Sequence, residues 1–233
     1  PEWVKKVEHD ETDILRKCIS CNVGCAGNRI GINRPIRCTV NPAVPEGDIY
    51  KRLRVNKNCN VVVIGGGTAG LEAACTAAEV GCNVFLFEKS DKLGGLSEFI
   101  SDLPGKTRMK DFPRYLRTRA ERLPNLYTFL NTEASIEEIN KFHPDIVVNA
   151  TGSHPVVPPI PGLRENRAAG NLDDIFIMIN NVNAGKYPEE FCRGKKVLVM
   201  GGGAVGLDII EYFAPLGADC TIIDMLPTIG AVA

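Results

Sequence analysis

Four cysteines, Cys18, Cys21, Cys25 and Cys38, stand in the pattern C-x2-C-x3-C-x12-C within CISCNVGCAGNRIGINRPIRC. Three thiols on a tight loop, with a fourth returning from beyond it, can enclose one tetrahedral or cubane metal centre. Gly24 and Gly27 permit the sharp backbone path, and free N–H groups in such a loop can bond to cluster sulfides. Arg29, Arg34 and Arg37 could offset the anionic charge of a thiolate-ligated centre, or serve only as soluble surface. A structural zinc site usually takes two paired knuckles. One pair followed by a compact triplet suits a [4Fe–4S] cluster better, with zinc and unligated thiols as the other readings. The cysteine count of nine is odd and Pro1–Lys6 carries no apolar run of the signal-peptide kind, so a metal site is expected rather than a disulfide framework.

Nucleotide chemistry is written in NVVVIGGGTAGLEAACTAAEVGCNVFLFE, residues 60–88. The run Val61–Ile64 reads as a strand buried on both faces, as in parallel sheets. Gly65-Gly66-Gly67-Thr68-Ala69-Gly70 satisfies G-x-G-x-x-G. Gly65 allows the tight turn, Gly67 lets backbone approach a pyrophosphate, and Gly70 lets the helix sit close to the strand. The following helix offers free N–H groups to phosphate, and Glu88 can accept from a ribose hydroxyl. Lys89 and the pair Gly94-Gly95 follow, where backbone can come close to another part of a large cofactor.

The chain then repeats itself. Val197–Asp224 aligns without a gap on Val61–Glu88, so that Gly201, Gly203 and Gly206 stand for the first glycines, Gly217 for Gly81 and Asp224 for Glu88. Two complete fingerprints predict two dinucleotide sites. Met225 and Leu226 follow Asp224, and no arginine is there to receive a 2′-phosphate, so NADH is expected over NADPH at the second site.

The elements that position these residues are legible in outline. Asp10 or Thr12 could cap a short helix through Leu15 that delivers Cys18. Thr39–Asn58 reads as an extended linker, and Met109–Leu123 as an amphipathic helix whose basic residues form a solvated face. Leu126–Leu130 is a short strand, Ser135–Phe142 a helix closed by Pro144, and Asp145–Asn149 a buried strand. Ala150-Thr151-Gly152 at its end would lie where a cofactor rests on a parallel sheet. Pro155–Pro161 suits a stiff crossing into a second domain. The fold class is α/β: a Rossmann-like FAD-binding domain and the start of a second, NAD-binding one, preceded by a cysteine-rich segment. Residues 1–58 make the iron–sulfur segment and linker, 59–158 the N-terminal part of the FAD domain, and 159–233 a truncated NADH domain. With Pro1 first and the second unit stopping after one strand–helix–strand, a piece of a longer chain is expected.

A net charge of −1 gives no electrostatic argument for nucleic acid or an anionic membrane. No apolar run approaches the roughly 20 residues that cross a bilayer, and a cytoplasmic setting is the default. His9, His143 and His154 sit in no nucleophile or metal pattern. Cys59, Cys75, Cys82, Cys192 and Cys220 read as packing residues. No C-x4-C pair follows the first fingerprint, so nothing marks a disulfide reductase, and no catalytic residue is assigned.

The order of these motifs, with Val40-Asn41-Pro42 after the last clustered cysteine, resembles the larger members of the old yellow enzyme family. These NADH:flavin oxidoreductases include 2-enoate reductase, 2,4-dienoyl-CoA reductase and trimethylamine dehydrogenase. The resemblance covers essentially the whole chain. It implies that Cys18, Cys21, Cys25 and Cys38 ligate a [4Fe–4S] cluster. It also implies that Gly65, Gly66, Gly67, Thr68, Ala69, Gly70 and Glu88 bind the ADP half of FAD, helped by Lys89, Gly94, Gly95, Ala150, Thr151 and Gly152. An FMN-binding TIM barrel, absent here, would come first in the parent chain, which could form a homo-oligomer. Electrons would pass from NADH to FAD, then through the cluster to FMN, which reduces an activated C=C bond. Trimethylamine dehydrogenase keeps ADP in place of FAD, so ADP alone stays open. Two other readings are an NADPH-dependent electron-input subunit of the glutamate synthase type and a non-catalytic zinc-stapled ADP-binding module.

Overall fold

The computed structural model describes residues 2–45, 53–55, 57–153, 158–169 and 175–230. His154, residues 155–157 of the proline-rich passage and the middle of the Thr39–Asn58 linker lie outside the described residues. Contacts divide the chain into two units, Pro1–Asp102 with Lys106–Ser153, and Leu103–Gly105 with His154–Ala233.

The first unit begins with α1 (Glu2–Glu8) and a 3-10 turn, Thr12–Ile14. Val23–Gly31 then forms a wide helical stretch in which Gly27 N donates to Asn22 O at 2.7 Å. Beyond the linker come β1 (Asn60–Ile64), α2 (Thr68–Glu79), β2 (Asn83–Phe87), α3 (Leu96–Ile100), α4 (Asp111–Glu121), β3 (Leu126–Phe129), α5 (Ile136–Asn140) and β4 (Ile146–Asn149). The four strands form one parallel sheet in the order β3-β2-β1-β4. The central strand β1 buries Val61, Val62 and Val63 because it has a neighbour on each side and α2 above it. Helix α2 turns Gly70, Leu71, Ala74, Cys75 and Ala78 inward, the spacing of one helical face, and their small side chains bring helix and sheet close. Leu116 and Ala120 of α4 join the same core. Ser135 caps α5 through a capping box with Glu138.

Two expectations are corrected. Strand β4 is not buried: Ile146 and Val147 are 51% and 48% exposed, because it is an edge strand with few helix contacts. Nor is the basic face of α4 wholly solvated. Arg119 is only 8% exposed. Its guanidinium donates to Glu79 Oε2 and Glu72 Oε2, both at 2.9 Å, so two carboxylates of α2 receive it.

The second unit contains α6 (Leu163–Ala168), α7 (Ile175–Asn183), β5 (Lys196–Met200), α8 (Ala204–Phe213) and β6 (Asp219–Ile223), with β5 and β6 parallel. Its core holds Ile179, Cys192, Val199, Tyr212 and Phe213. The Tyr212 hydroxyl donates to Asn183 Oδ1 at 2.6 Å, fastening α8 to α7. Among the described residues no helix is long and apolar enough to cross a membrane.

Candidate functional site

The first fingerprint forms the turn between β1 and α2. Gly65 has φ +101°, and a Cβ there would lie 2.4 Å from Ala150 O. Gly66 is buried, and Gly67 sits at the N-cap position of α2 with no side-chain cap. Thr68 and Ala69 form the first turn, so its backbone donors remain available to an anion. A Cβ on Gly70 would stand 1.8 Å from Gly65 O, which fixes glycine as the residue that lets α2 approach β1.

Glu88 directly follows β2 and is 9% exposed. Gly66 N donates to its Oε2 at 2.6 Å, while Ser90 N and Ser90 Oγ both donate to Oε1 at 2.8 Å. Burial pushes this carboxyl upward, but the Ser90 and Gly66 donors and the charge of Lys89 outweigh it, so the value falls below the ordinary glutamate range. A carboxylate offers about four acceptor positions. Three are used here, which leaves room on Oε2 for a hydroxyl donor.

The Gly94-Gly95 pair closes onto the same turn. Gly94 N donates to Gly66 O at 2.8 Å. Both glycines have positive φ, and a Cβ on Gly95 would lie 3.0 Å from the Gly67 Cα. Leu93 packs over Gly66, whose Cβ position is 2.5 Å from Leu93 Cδ2. Arg117 holds this loop by donating to Leu93 O at 2.8 Å and by pairing with Glu98. At the end of β4, Ala150 N donates to Ile64 O at 2.8 Å, setting Ala150 against the turn, with Thr151 and Gly152 exposed beyond it. The residues of the first fingerprint, Glu88, Gly94, Gly95 and Ala150 are thus brought together, with Lys89 exposed beside them.

The second unit builds the same turn. Gly201 has φ +110°, Gly203 caps α8 without a side-chain bond, and a Cβ on Gly206 would sit 2.0 Å from Gly201 O. Asp224 Oδ2 accepts from Gly202 N, and Asp224 Oδ1 accepts from Leu226 N at 2.6 Å. These Leu226 and Gly202 donors hold its carboxyl below the usual aspartate value. The correspondence runs beyond the aligned stretch: Gly230 N donates to Gly202 O at 2.7 Å, and Ile229 covers Gly202 as Leu93 covers Gly66. Ser90, Leu93, Arg117 and Ile229 were not predicted. Ser90 two residues after Glu88 was the one visible signal.

The four clustered cysteines are free thiols; Cys18, Cys21 and Cys25 are exposed and Cys38 half-buried. Arg37 N donates to Gly24 O at 2.6 Å, so the chain returning with Cys38 lies against the helical stretch that carries Cys25. A Cβ on Gly24 would meet Arg37 O at 2.7 Å. Ser20 N donates to Cys18 Sγ at 3.3 Å. Cys21 Sγ lies 3.2 Å from Thr39 Oγ1, a hydrogen bond that lowers its pKa. The structure does not draw the sulfurs into one close group: among the described residues no three Cys, His, Asp or Glu side chains converge as metal ligands. The donor set still fits a soft-metal centre in its chemistry, being four free cysteines with N–H and O–H partners at two of them. Cys59, Cys75, Cys82 and Cys192 are buried packing residues, as expected, while Cys220 is half-buried.

Residues 115–232 match the family described as pyridine nucleotide-disulphide oxidoreductase, and residues 60–99 match the FAD dependent oxidoreductase family. The sequence is 40% identical to an NADH oxidase of Thermoanaerobacter brockii, across 98% of this chain and 34% of that protein. It is 34% identical to a cinnamate reductase of Clostridium sporogenes, across 96% of this chain and 31% of that one. The solved complex of 2-naphthoyl-CoA reductase with 2-naphthoyl-CoA superposes with a TM-score of 0.77 at 30% identity, covering 94% of this chain and 31% of its own. The chain therefore spans about a third of the length of the relatives it matches. These similarities agree with the resemblance read from the motifs and support FAD and NAD(H) binding in an oxidoreductase. The chain belongs to the pyridine nucleotide-disulphide oxidoreductase family.

Proposed function

We propose that this chain is the electron-input part of an NADH:flavin oxidoreductase of the old yellow enzyme family, with an FMN-binding barrel elsewhere in the parent chain. The single observation that carries the reading is the pair of matching turns, each with its carboxylate held by the second glycine of the fingerprint. Gly65, Gly67, Gly70 and the first turn of α2 bind the pyrophosphate of FAD. Glu88 accepts from its ribose, and Gly94, Gly95 and Thr151-Gly152 flank it. Gly201, Gly203, Gly206 and Asp224 do the same for NADH. Cys18, Cys21, Cys25 and Cys38 hold a [4Fe–4S] cluster. The chemistry supplied when those groups are bound is hydride acceptance at FAD, single-electron relay through the cluster, and reduction of an activated C=C bond at FMN. The similarity to a cinnamate reductase and to 2-naphthoyl-CoA reductase supports a conjugated acid or thioester as substrate.

The residues of this chain do the binding and orienting. Asp224, already fixed by Gly202 and Leu226, presents a negative charge that accepts a ribose 2′-hydroxyl and repels a 2′-phosphate. The test is an anaerobic preparation of the parent protein in which visible spectrum, metal content and extracted nucleotides are measured together. Iron with acid-labile sulfide, FAD, and flavin absorbance bleached by NADH are the expected results. Stoichiometric zinc, or ADP as the sole extracted nucleotide, would overturn the assignment.

A further inference from the structure

Arg16 occupies a junction that the motifs do not announce. It stands two residues before Cys18, and its Nη1 donates to the carbonyl of Val40, two residues after Cys38, at 2.9 Å. The two ends of the cysteine loop are therefore joined by one side chain. The same guanidinium reaches the dinucleotide-binding core: Nη2 donates to the Tyr115 hydroxyl at 3.0 Å and lies 3.5 Å from Glu72 Oε1. Its carbon sits 5.0 Å from the centre of the Tyr115 ring. Glu72 lies on α2, the helix whose first turn is the fingerprint, and Tyr115 on α4. Both stems are also buried at this point, Leu15 at 6% and Val40 at 4% exposed, whereas Cys18, Cys21 and Cys25 lie in open surface.

We infer that Arg16 is a positioning residue for the cysteine centre, closing the 18–38 loop at its neck and fixing it to α2 and α4. The inference rests on the cluster reading above. A planar guanidinium can serve a carbonyl, a hydroxyl and a carboxylate at once. A lysine can keep the charge near Glu72 but cannot span the same acceptors. A loop that is open at its neck must order its own ends each time four thiolates gather, so the neck contact reduces the entropy lost on ligation.

The experiment compares the parent protein with its Arg16→Met, Arg16→Lys and Tyr115→Phe variants. Hydrogen exchange is followed in peptides covering 17–40 and 61–88, with iron release to a chelator and the electron paramagnetic spectrum of the reduced centre. Arg16→Met is expected to speed exchange in 17–40, to release iron measurably faster because the opened neck must be re-ordered at each ligation, and to broaden the spectrum. Flavin content and exchange in 61–88 should stay unchanged. Arg16→Lys should restore part of each effect, and Tyr115→Phe should show a smaller one. Unchanged exchange in 17–40 with unchanged iron release would overturn the role of Arg16. A parent protein with flavin but no iron would overturn the cluster reading instead, and the exchange data would still decide whether Arg16 closes the loop.

Discussion

Gly66 N donates to Glu88 Oε2 at 2.6 Å, joining the middle of the glycine turn to the end of the neighbouring strand. One bond thus sets both the pyrophosphate-facing turn and the ribose-facing carboxylate, so neither can shift without the other. Gly202 and Asp224 reproduce it in the second unit.

Glu88→Gln tests that latch. An amide would turn an N–H donor toward either Gly66 N or the Ser90 donors, where a carboxylate accepts from all three. Hydrogen bonds to a charged group are worth about 1.5–3 kcal/mol, and a loss of that order in unfolding free energy at pH 7 is expected by denaturant titration. The pH dependence has a definite sign. Because the folded carboxyl titrates below its unfolded value, its contribution is complete above about pH 5 and fades as pH falls through the depressed folded value. The gap between wild type and Glu88→Gln should therefore close in acid, and a gap that widened there would contradict the assignment.

Gly67→Ala and Gly70→Ala separate binding from folding. A Cβ at Gly67 meets nothing within 4 Å, and the residue has φ −70°, so the fold should tolerate alanine. The methyl would instead stand where pyrophosphate approaches, and flavin content should fall with little change in melting temperature. At Gly70 the methyl would press on Gly65 O, and overpacking of that kind costs about 1–3 kcal/mol. There the melting temperature should fall together with flavin content. Equal behaviour of the two variants would count against this division.

The reach of the sequence can be judged from these same residues. The strand, turn and helix around Gly65 were readable because local glycine spacing and buried β-branched runs encode them. The repeat was readable as far as Glu88 and Asp224. Gly94 and Gly230 keep the same offset of 136 positions, but the donors that hold the two carboxylates were not readable, because Ser90 and Leu226 both serve them through backbone N–H groups, which every residue except proline has. Arg119 was misread for a different reason. Its partners Glu72 and Glu79 lie on another helix, and composition cannot show that two helix faces meet. The cysteine spacing was plain, but where four sulfurs sit depends on contacts such as Arg37 with Gly24.

Arg119→Met should be costly where an arginine on a truly solvated face would not be. Removing one partner of a fully buried pair costs about 3–5 kcal/mol. Here Glu72 and Glu79 are 26% and 30% exposed, so water recovers part of their solvation. A loss of about 2 kcal/mol is expected once that screening is allowed for. Chemical denaturation measures it. Arg114→Met, on an exposed residue of the same helix, should fall within about 0.5 kcal/mol of wild type.

Asp224→Ala addresses the choice of nicotinamide nucleotide. The carboxylate is held by Gly202 and Leu226 with two of its about four acceptor positions engaged. A ribose hydroxyl can therefore be accepted without first disrupting the turn. Its pKa is depressed by those same donors, so it is ionised throughout the physiological range. Removing it deletes an attraction for the 2′-hydroxyl and a repulsion against a 2′-phosphate, two effects that shift the nucleotides in opposite directions. The KM for NADH should rise on the order of tenfold, as loss of one charged hydrogen bond allows, while that for NADPH should stay level or fall. If both constants rose together, the side chain would be supporting the turn alone and the preference for NADH would need another source.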